Sequence, residues 1–282
     1  MKSTLMETGQ KTTQKTTKID PYINNSSLAI HVNESWVIFC LFNHKKLSSL
    51  NKVSFLQKKK SNYVLKTIKK YIKSFSNENI PSEVKLIYYN KTSTLVPSTL
   101  FDHKNSLNYL KYNTSINIDD IAANDQVLNH EINNVYIPNT EINNFIFEKF
   151  KTFDFFHYSS LIIEKISNEL AEKFSEKVFV NINDGFIDIL FFKDKKLMFY
   201  NSYDYNSDED ILFYLLFCFS ELKLNPDEIH TVFSGSIDLD SKLYELIYTY
   251  VRNVELIDPI DIDGIDFNVL NSNILLSEFW WE

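Results

Sequence analysis

From residue 28 onward, apolar residues come in short runs parted by polar pairs and triplets. Runs 28–32, 36–42 and 47–55 are rich in Val, Ile, Leu and Phe and are split by Asn33-Glu34-Ser35 and Asn43-His44-Lys45-Lys46. That pattern predicts a three-strand meander. Over 60–75 the period changes: Val64, Ile68, Tyr71, Ile72 and Phe75 recur at three and four, with Lys66, Lys69, Lys70 and Lys73 on the other side. This is an amphipathic helix. A strand over 84–89 follows Pro81.

The same order returns later in the chain. Runs 178–183, 186–192 and 197–203 are split by Asp184-Gly185 and Lys193-Asp194-Lys195-Lys196, then come a helix over 208–222, Pro226 and a strand over 229–233. Residues 28–55 lie over 178–205 without a gap at a constant offset of 150, which makes Asn33/Asn183, Phe42/Phe192, Lys45/Lys195, Lys46/Lys196, Leu47/Leu197 and Asn51/Asn201 identical. Identities alone are weak evidence in a chain so rich in Asn, Ile and Lys. The repeated order of elements is stronger, and it predicts two α/β lobes of like topology with a cleft between them. Between the repeats lie a polar stretch over 98–123, a strand pair over 126–137, and helices over 139–150 and 159–173.

The boundaries follow from the pattern. Residues 1–25, polar and without an apolar core segment, read as a disordered tail; 26–158 is the first lobe, 159–260 the second, and 261–282 a C-terminal tail. That tail carries Phe279, Trp280 and Trp281, a group expected either to seal its own core or to engage a partner. The net charge of −8 argues against a surface that coats nucleic acid or anionic membrane as a whole. Locally the balance is reversed: the 60–75 helix, with Lys66, Lys69, Lys70 and Lys73, is a candidate contact for an acidic protein or a nucleic-acid backbone. Cys40 and Cys218 sit in apolar runs and read as buried thiols of a reducing, cytoplasmic compartment. The longest apolar run, 211–219, is nine residues and too short to span a membrane.

Two tandem βββαβα lobes are the plan of the actin, sugar kinase and heat-shock ATPase superfamily. At the level of words, Val180-Asn181-Ile182-Asn183-Asp184-Gly185-Phe186-Ile187-Asp188-Ile189-Leu190, Lys195 to Ser202, Leu224 to Ile229, Asn134 to Pro138 and Phe156 to Ser160 resemble an uncharacterised Bacteroidetes family of actin-like fold. More distantly the chain is similar to the actin-like component of type IV pilus assembly. The resemblance implies an actin-like fold, and with it ATP and Mg²⁺ as the cofactors to test.

An actin-like ATPase grips phosphate with one β-hairpin from each lobe, and glycine lets backbone N–H groups approach the oxygens. Yet no glycine occurs between residues 10 and 184. The first hairpin offers only Asn33-Glu34-Ser35, and Glu34 repels a triphosphate. The second keeps Asp184-Gly185, which serves equally as a tight hairpin turn. Ser234-Gly235-Ser236 stands where the superfamily places an adenosine-contacting turn, and equally suits a plain strand-to-helix turn. Asp184, Gly185, Ser234, Gly235 and Ser236 are thus the nucleotide candidates, with no catalytic residue and no metal ligand set assigned; the six histidines lack ligand spacing. The expectation is a non-catalytic interaction or scaffold protein with a degenerate nucleotide site. The alternative is a divergent ATPase or small-molecule kinase working in the inter-lobe cleft.

Overall fold

The computed structural model describes residues 26–257 apart from 45, 56, 59–60, 76–79, 113, 128–130 and 170–174, together with strands at 4–6 and 10–16. The aromatic group at 279–281 lies outside the described residues. In chain order the elements are β1 (Thr4–Met6), β2 (Gln10–Thr16), β3 (Ser26–Val32), β4 (Trp36–Asn43), β5 (Lys46–Phe55), α1 (Ser61–Ile72), β6 (Glu83–Tyr88), β7 (Ser93–Pro97), α2 (Ser106–Leu110), β8 (Ala123–Val127), β9 (Ile132–Tyr136), α3 (Thr140–Phe150), β10 (Asp154–His157) and α4 (Tyr158–Glu169). They continue with β11 (Glu176–Asn183), β12 (Phe186–Lys193), β13 (Lys196–Asp204), α5 (Asp208–Leu222), β14 (His230–Gly235), α6 (Lys242–Tyr250) and β15 (Val254–Leu256). The chain divides into two compact units at Ile162/Ile163, inside α4.

In the first unit the sheet order is β1-β2-β5-β4-β3-β6-β10, with β3, β4 and β5 antiparallel and β6 and β10 added in parallel. In the second it is β13-β12-β11-β14-β15, with the same alternation of sense. With β1 and β2 set aside, the five remaining strands of the first sheet and the five of the second, numbered within each repeat, both run 3-2-1-4-5. The parallel strands need crossovers, which α1 and α3 supply in one unit and α5 and α6 in the other. Even the irregularities repeat: register shifts occur between Leu41 and Phe42 and between Phe191 and Phe192, the same two positions at an offset of 150. Conserving a bulge at one place keeps the two meanders bent alike.

Each unit has its own core. Ile30, Phe39 and Leu86 of the first sheet meet Val64 and Ile68 of α1 and Ile146 of α3. Val180, Ile189 and Phe233 meet Leu215 and Phe219 of α5 and Ile247 of α6 in the second. Helix α5 is stopped and started by its own residues: a reciprocal capping box joins Ser207 and Asp210, and Lys223 closes the end in the left-handed region.

Two features depart from the sequence expectation. The first sheet gains β2, which pairs antiparallel with β5 from Gln10↔Phe55 to Thr16↔Ser49, where a disordered tail is expected. Main-chain pairing explains it: the outer edge of β5 presents unpaired N–H and C=O groups, and satisfying them requires no apolar side chains. The second is β7, which joins the expected strand pair β8-β9 to make a small sheet, β7-β9-β8, placed between β6 and α3 with a satellite core of Val96, Leu110 and Val135.

Candidate functional site

Strands β3 and β6 of the first unit end side by side, with Val32 opposite Tyr88, as β11 and β14 of the second end with Ile182 opposite Gly235. The bond that follows is the same in both: Tyr89 N–H donates to the Val32 carbonyl at 2.9 Å, and Ser236 N–H to that of Ile182 at 2.9 Å. Tyr88 and Tyr89 thus occupy the positions of Gly235 and Ser236. The hairpin turns that follow β3 and β11 lie beside these strand ends, so in the second unit Asp184, Gly185, Ser234, Gly235 and Ser236 come together at the ends of the central strands β11 and β14.

Their local chemistry differs residue by residue. Gly185 has φ +91° and open space where a Cβ would stand, as a hairpin turn requires. The Gly185 carbonyl accepts from Tyr205 N–H at 3.3 Å. Gly235 also has φ +91°, but its missing Cβ is what lets β14 close on β11. Ser234 Oγ donates to Asn181 Oδ1 at 2.9 Å, which ties it inward to the neighbouring strand. Next to it a buried carboxylate, Asp188, accepts from Asn183 Nδ2 at 3.0 Å and from the Tyr200 hydroxyl at 2.9 Å.

The first turn is closed on itself. Asn33 N–H donates to the Trp36 carbonyl at 3.0 Å, Ser35 N–H to Asn33 Oδ1 at 2.7 Å, and Asn33 Nδ2 to the Tyr89 carbonyl at 3.1 Å. Behind the turn an aromatic cluster fills the strand ends. The Tyr89 ring stacks on Tyr158 at 4.2 Å and meets Trp36 edge-on at 4.9 Å, and its hydroxyl bonds to buried His31 Nδ1 at 3.1 Å. Burial pushes the His31 imidazole down to about 3.

On the solvent side of this turn is a cavity of about 670 Å³, formed entirely by residues of the first unit. Val32 and Val64 contribute apolar lining, and Glu34, Asp120 and Glu141 carry its charge. The four lysines singled out from the sequence, Lys66, Lys69 and Lys70 of α1 and Lys73 just after it, are all exposed, and Lys69 Nζ lies 5.1 Å over the Phe145 ring.

A second polar network lies under the small sheet. His157 Nε2 is 2.9 Å from the Asn90 carbonyl, which only accepts, so the imidazole carries its proton there and Nδ1 is an acceptor. Nδ1 lies 2.6 Å from Ser159 Oγ and 3.2 Å from Asn134 Nδ2. Asn134 Nδ2 also reaches Ser159 Oγ and Ser160 Oγ, while Ser160 Oγ donates to Asp125 Oδ2 at 2.7 Å and the Tyr136 hydroxyl to Asp125 Oδ1 at 2.9 Å. The trio of Ser, His and Asp is not a nucleophilic triad, because the imidazole is buried and its far nitrogen is held by a carbonyl. Burial lowers His157 to about 4 and raises the Asp125 carboxyl. The network pins β8, β9, β10 and the start of α4 together.

Comparison with known proteins fits this architecture. Residues 14–254 match the model of a family described as "Protein of unknown function (DUF3822)". The chain belongs to that family. Among solved structures it is similar to a Bacteroides thetaiotaomicron VPI-5482 protein with actin-like ATPase fold and unknown function: TM-score 0.71, 18% identity, covering 90% of this chain and 96% of that one. It is also similar, at TM-score 0.55 and 10% identity over 82% of this chain and 88% of the other, to a chain of the PilM-PilN type IV pilus biogenesis complex. No curated protein matches it. The fold is actin-like, with two tandem lobes. Among the described residues no helix is long and apolar enough to cross a membrane.

Proposed function

We propose that this chain is a non-catalytic actin-like interaction or scaffold protein whose nucleotide site has degenerated in the first unit. The observation that carries the reading is the Asn33-Glu34-Ser35 turn. A phosphate cradle needs backbone N–H groups turned outward. Here the Asn33 and Ser35 N–H groups are spent inside the turn, on Trp36 and Asn33, and the residue between them is an acid. Tyr88 and Tyr89 further fill the strand end where the second unit has Gly235 and Ser236.

A role in assembly agrees with the likeness to a chain of the PilM-PilN complex, a structure in which one protein of this fold is bound to another. For this chain the surfaces to test are Lys66, Lys69 and Lys70 of α1 with Lys73 just after it, as a contact for an acidic protein or nucleic acid, and Trp280 and Trp281. The compartment that suits two buried free thiols, Cys40 and Cys218, is the cytoplasm.

A second reading keeps ATP with Mg²⁺. It rests on the second unit, where Asp184, Gly185, Ser234, Gly235 and Ser236 lie at the ends of the neighbouring strands β11 and β14, and open space stands where a Gly185 Cβ would be. A divergent ATPase or small-molecule kinase would use those strand ends. Calorimetric titration with ATP and Mg²⁺ separates the readings: no saturable heat is expected for the first, and a saturable heat lost in Gly185→Val for the second.

A further inference from the structure

The solvent face of α1 is more basic than its packing requires. Lys66, Lys69 and Lys70, with Lys73 just after the helix, are all exposed, and half-buried Tyr63, edge-on to Phe55 at 5.5 Å, stands beside them. When α1 is laid over α5 so that buried Val64, Ile68 and Ile72 meet Ile211, Leu215 and Phe219, Lys66 and Lys70 fall on the exposed Phe213 and Phe217. A helix packed in this way therefore does not call for lysine at those positions. The sequence concentrates the charge further, with ten lysines and no Asp or Glu between Glu34 and Glu78. Like charges gathered so closely repel one another and set up a local positive field.

The opposite charge is gathered at the other end of the sequence. Residues 258–282, beyond the last described residue, contain Asp258, Asp261, Asp263, Asp266, Glu278 and Glu282 and no Lys, Arg or His, so they hold most of the net charge of −8. Their final stretch, Glu278-Phe279-Trp280-Trp281-Glu282, sets three aromatic residues between two acids. Carboxylates pair with ammonium groups and indole faces attract them too, so this stretch suits a lysine face in two ways. Lys69 already makes a contact of the second kind, with its Nζ 5.1 Å over the Phe145 ring.

Length permits the two to meet within one chain. The stretch from Ile257 to Glu278 spans up to about 70 Å when extended. That is several times the ~15 Å radius of gyration of a lobe of about 160 residues. Tethering also holds a segment near its site at an effective concentration on the order of millimolar, above that of a free partner.

We propose that residues 278–282 dock on the α1 face of their own chain, with Glu278 and Glu282 as counter-charges to Lys66, Lys69, Lys70 and Lys73. The rings of Trp280 and Trp281 lie against the lysine stems and Tyr63. The segment is thereby a built-in cover for the basic face, one that an acidic partner must displace. This rests on the reading of the two surfaces as contacts and joins them; nucleotide turnover does not bear on it.

The test is zero-length carbodiimide cross-linking of the full chain, which joins an amine to a carboxylate only where the two touch. It is read by mass spectrometry on an equal mixture of unlabelled and isotope-labelled protein. Links from Lys66, Lys69, Lys70 or Lys73 to Glu278 or Glu282 are expected within chains of one label, unchanged on dilution and falling at least about fivefold in high salt. In Lys66→Glu/Lys70→Glu/Lys73→Glu, acrylamide should quench the tryptophans more strongly, and adding Glu278→Lys/Glu282→Lys should restore the protection; buried Trp36 gives a constant background. Circular dichroism checks that both variants are folded. Absent links, or links only between differently labelled chains, which would seat a second copy there, overturn the proposal. Quenching that the first variant leaves unchanged, or that the reversed charges do not restore, overturns it as well. Links within one chain without binding of duplex DNA uphold it and contradict only the nucleic-acid contact, whereas DNA binding without the links contradicts only the self-docking.

Discussion

A Cβ built on Gly235 would lie 2.1 Å from the carbonyl oxygen of Ile182. The contact arises because β14 runs parallel to β11 with these two residues in register, and it makes glycine a requirement of the sheet. Gly235→Ala should therefore destabilise the second unit by about 3 kcal/mol, from the backbone clash together with the positive φ. Gly185→Ala meets only the φ penalty, about 1 kcal/mol. Urea unfolding of the two variants checks the ranking; equal losses would show that the close approach is not what constrains Gly235.

Acid should weaken the first unit. An unfolded histidine takes up its proton near 6.5, whereas in the fold burial delays this to about 3 for His31 and about 4 for His157. Between these limits the unfolded state binds more protons, so the stability is fully present above about 6.5 and is lost as pH falls towards the folded values. From pH 7 to pH 5 the loss should be about 2 kcal/mol for each imidazole. Asp125, raised by burial and bonded to His157 N–H, acts in the opposite direction and reduces the total. Urea midpoints at the two pH values, compared with those of His31→Gln, measure the effect.

Asn134 is the hub of the network under the small sheet. Its Nδ2 serves Ser159 and Ser160 at 2.8 and 2.9 Å, and all of these groups are buried. Asn134→Ala should cost about 2–3 kcal/mol, since it takes one buried hydrogen bond from each of two hydroxyls, leaving Ser159 with His157 and Ser160 with Asp125. Faster amide exchange in β8 and β9 than in β11 and β12 would locate the loss; uniform acceleration would contradict a local role.

The α1 lysines give a salt-dependent prediction. With duplex DNA as the polyanion probe, wild-type binding should weaken as salt rises, and the change of Lys66, Lys69, Lys70 and Lys73 to Glu should abolish it while the fold persists. Salt-insensitive binding, or a quadruple variant that binds as well as wild type, removes this face from consideration.

Much of this fold was legible because its repeat is carried by local signals. Asn33/Asn183 and Phe42/Phe192 mark the same turn and the same bulge, and the run lengths predict the strands around them. The fifth strands were not foreseen, because β10 and β15 are short and owe their state to parallel neighbours. Strand β2 escaped for a related reason: main-chain pairing leaves no apolar pattern. Of the site, the glycine deficit at the first turn could be read directly, but not the bonds that close it, since Asn33 and Tyr89 are 56 residues apart. Glu34, Asp120 and Glu141 share a cavity only through tertiary structure, and Asp125, Asn134 and His157 likewise carry no spacing signal.

On the proposed reading the first turn does not serve triphosphate chemistry. Turnover of ATP with Mg²⁺ by the purified full chain tests it most directly, and no phosphate release above the no-enzyme background is expected. Release above background that disappears in Gly185→Val, with the variant still folded, would show a working nucleotide site.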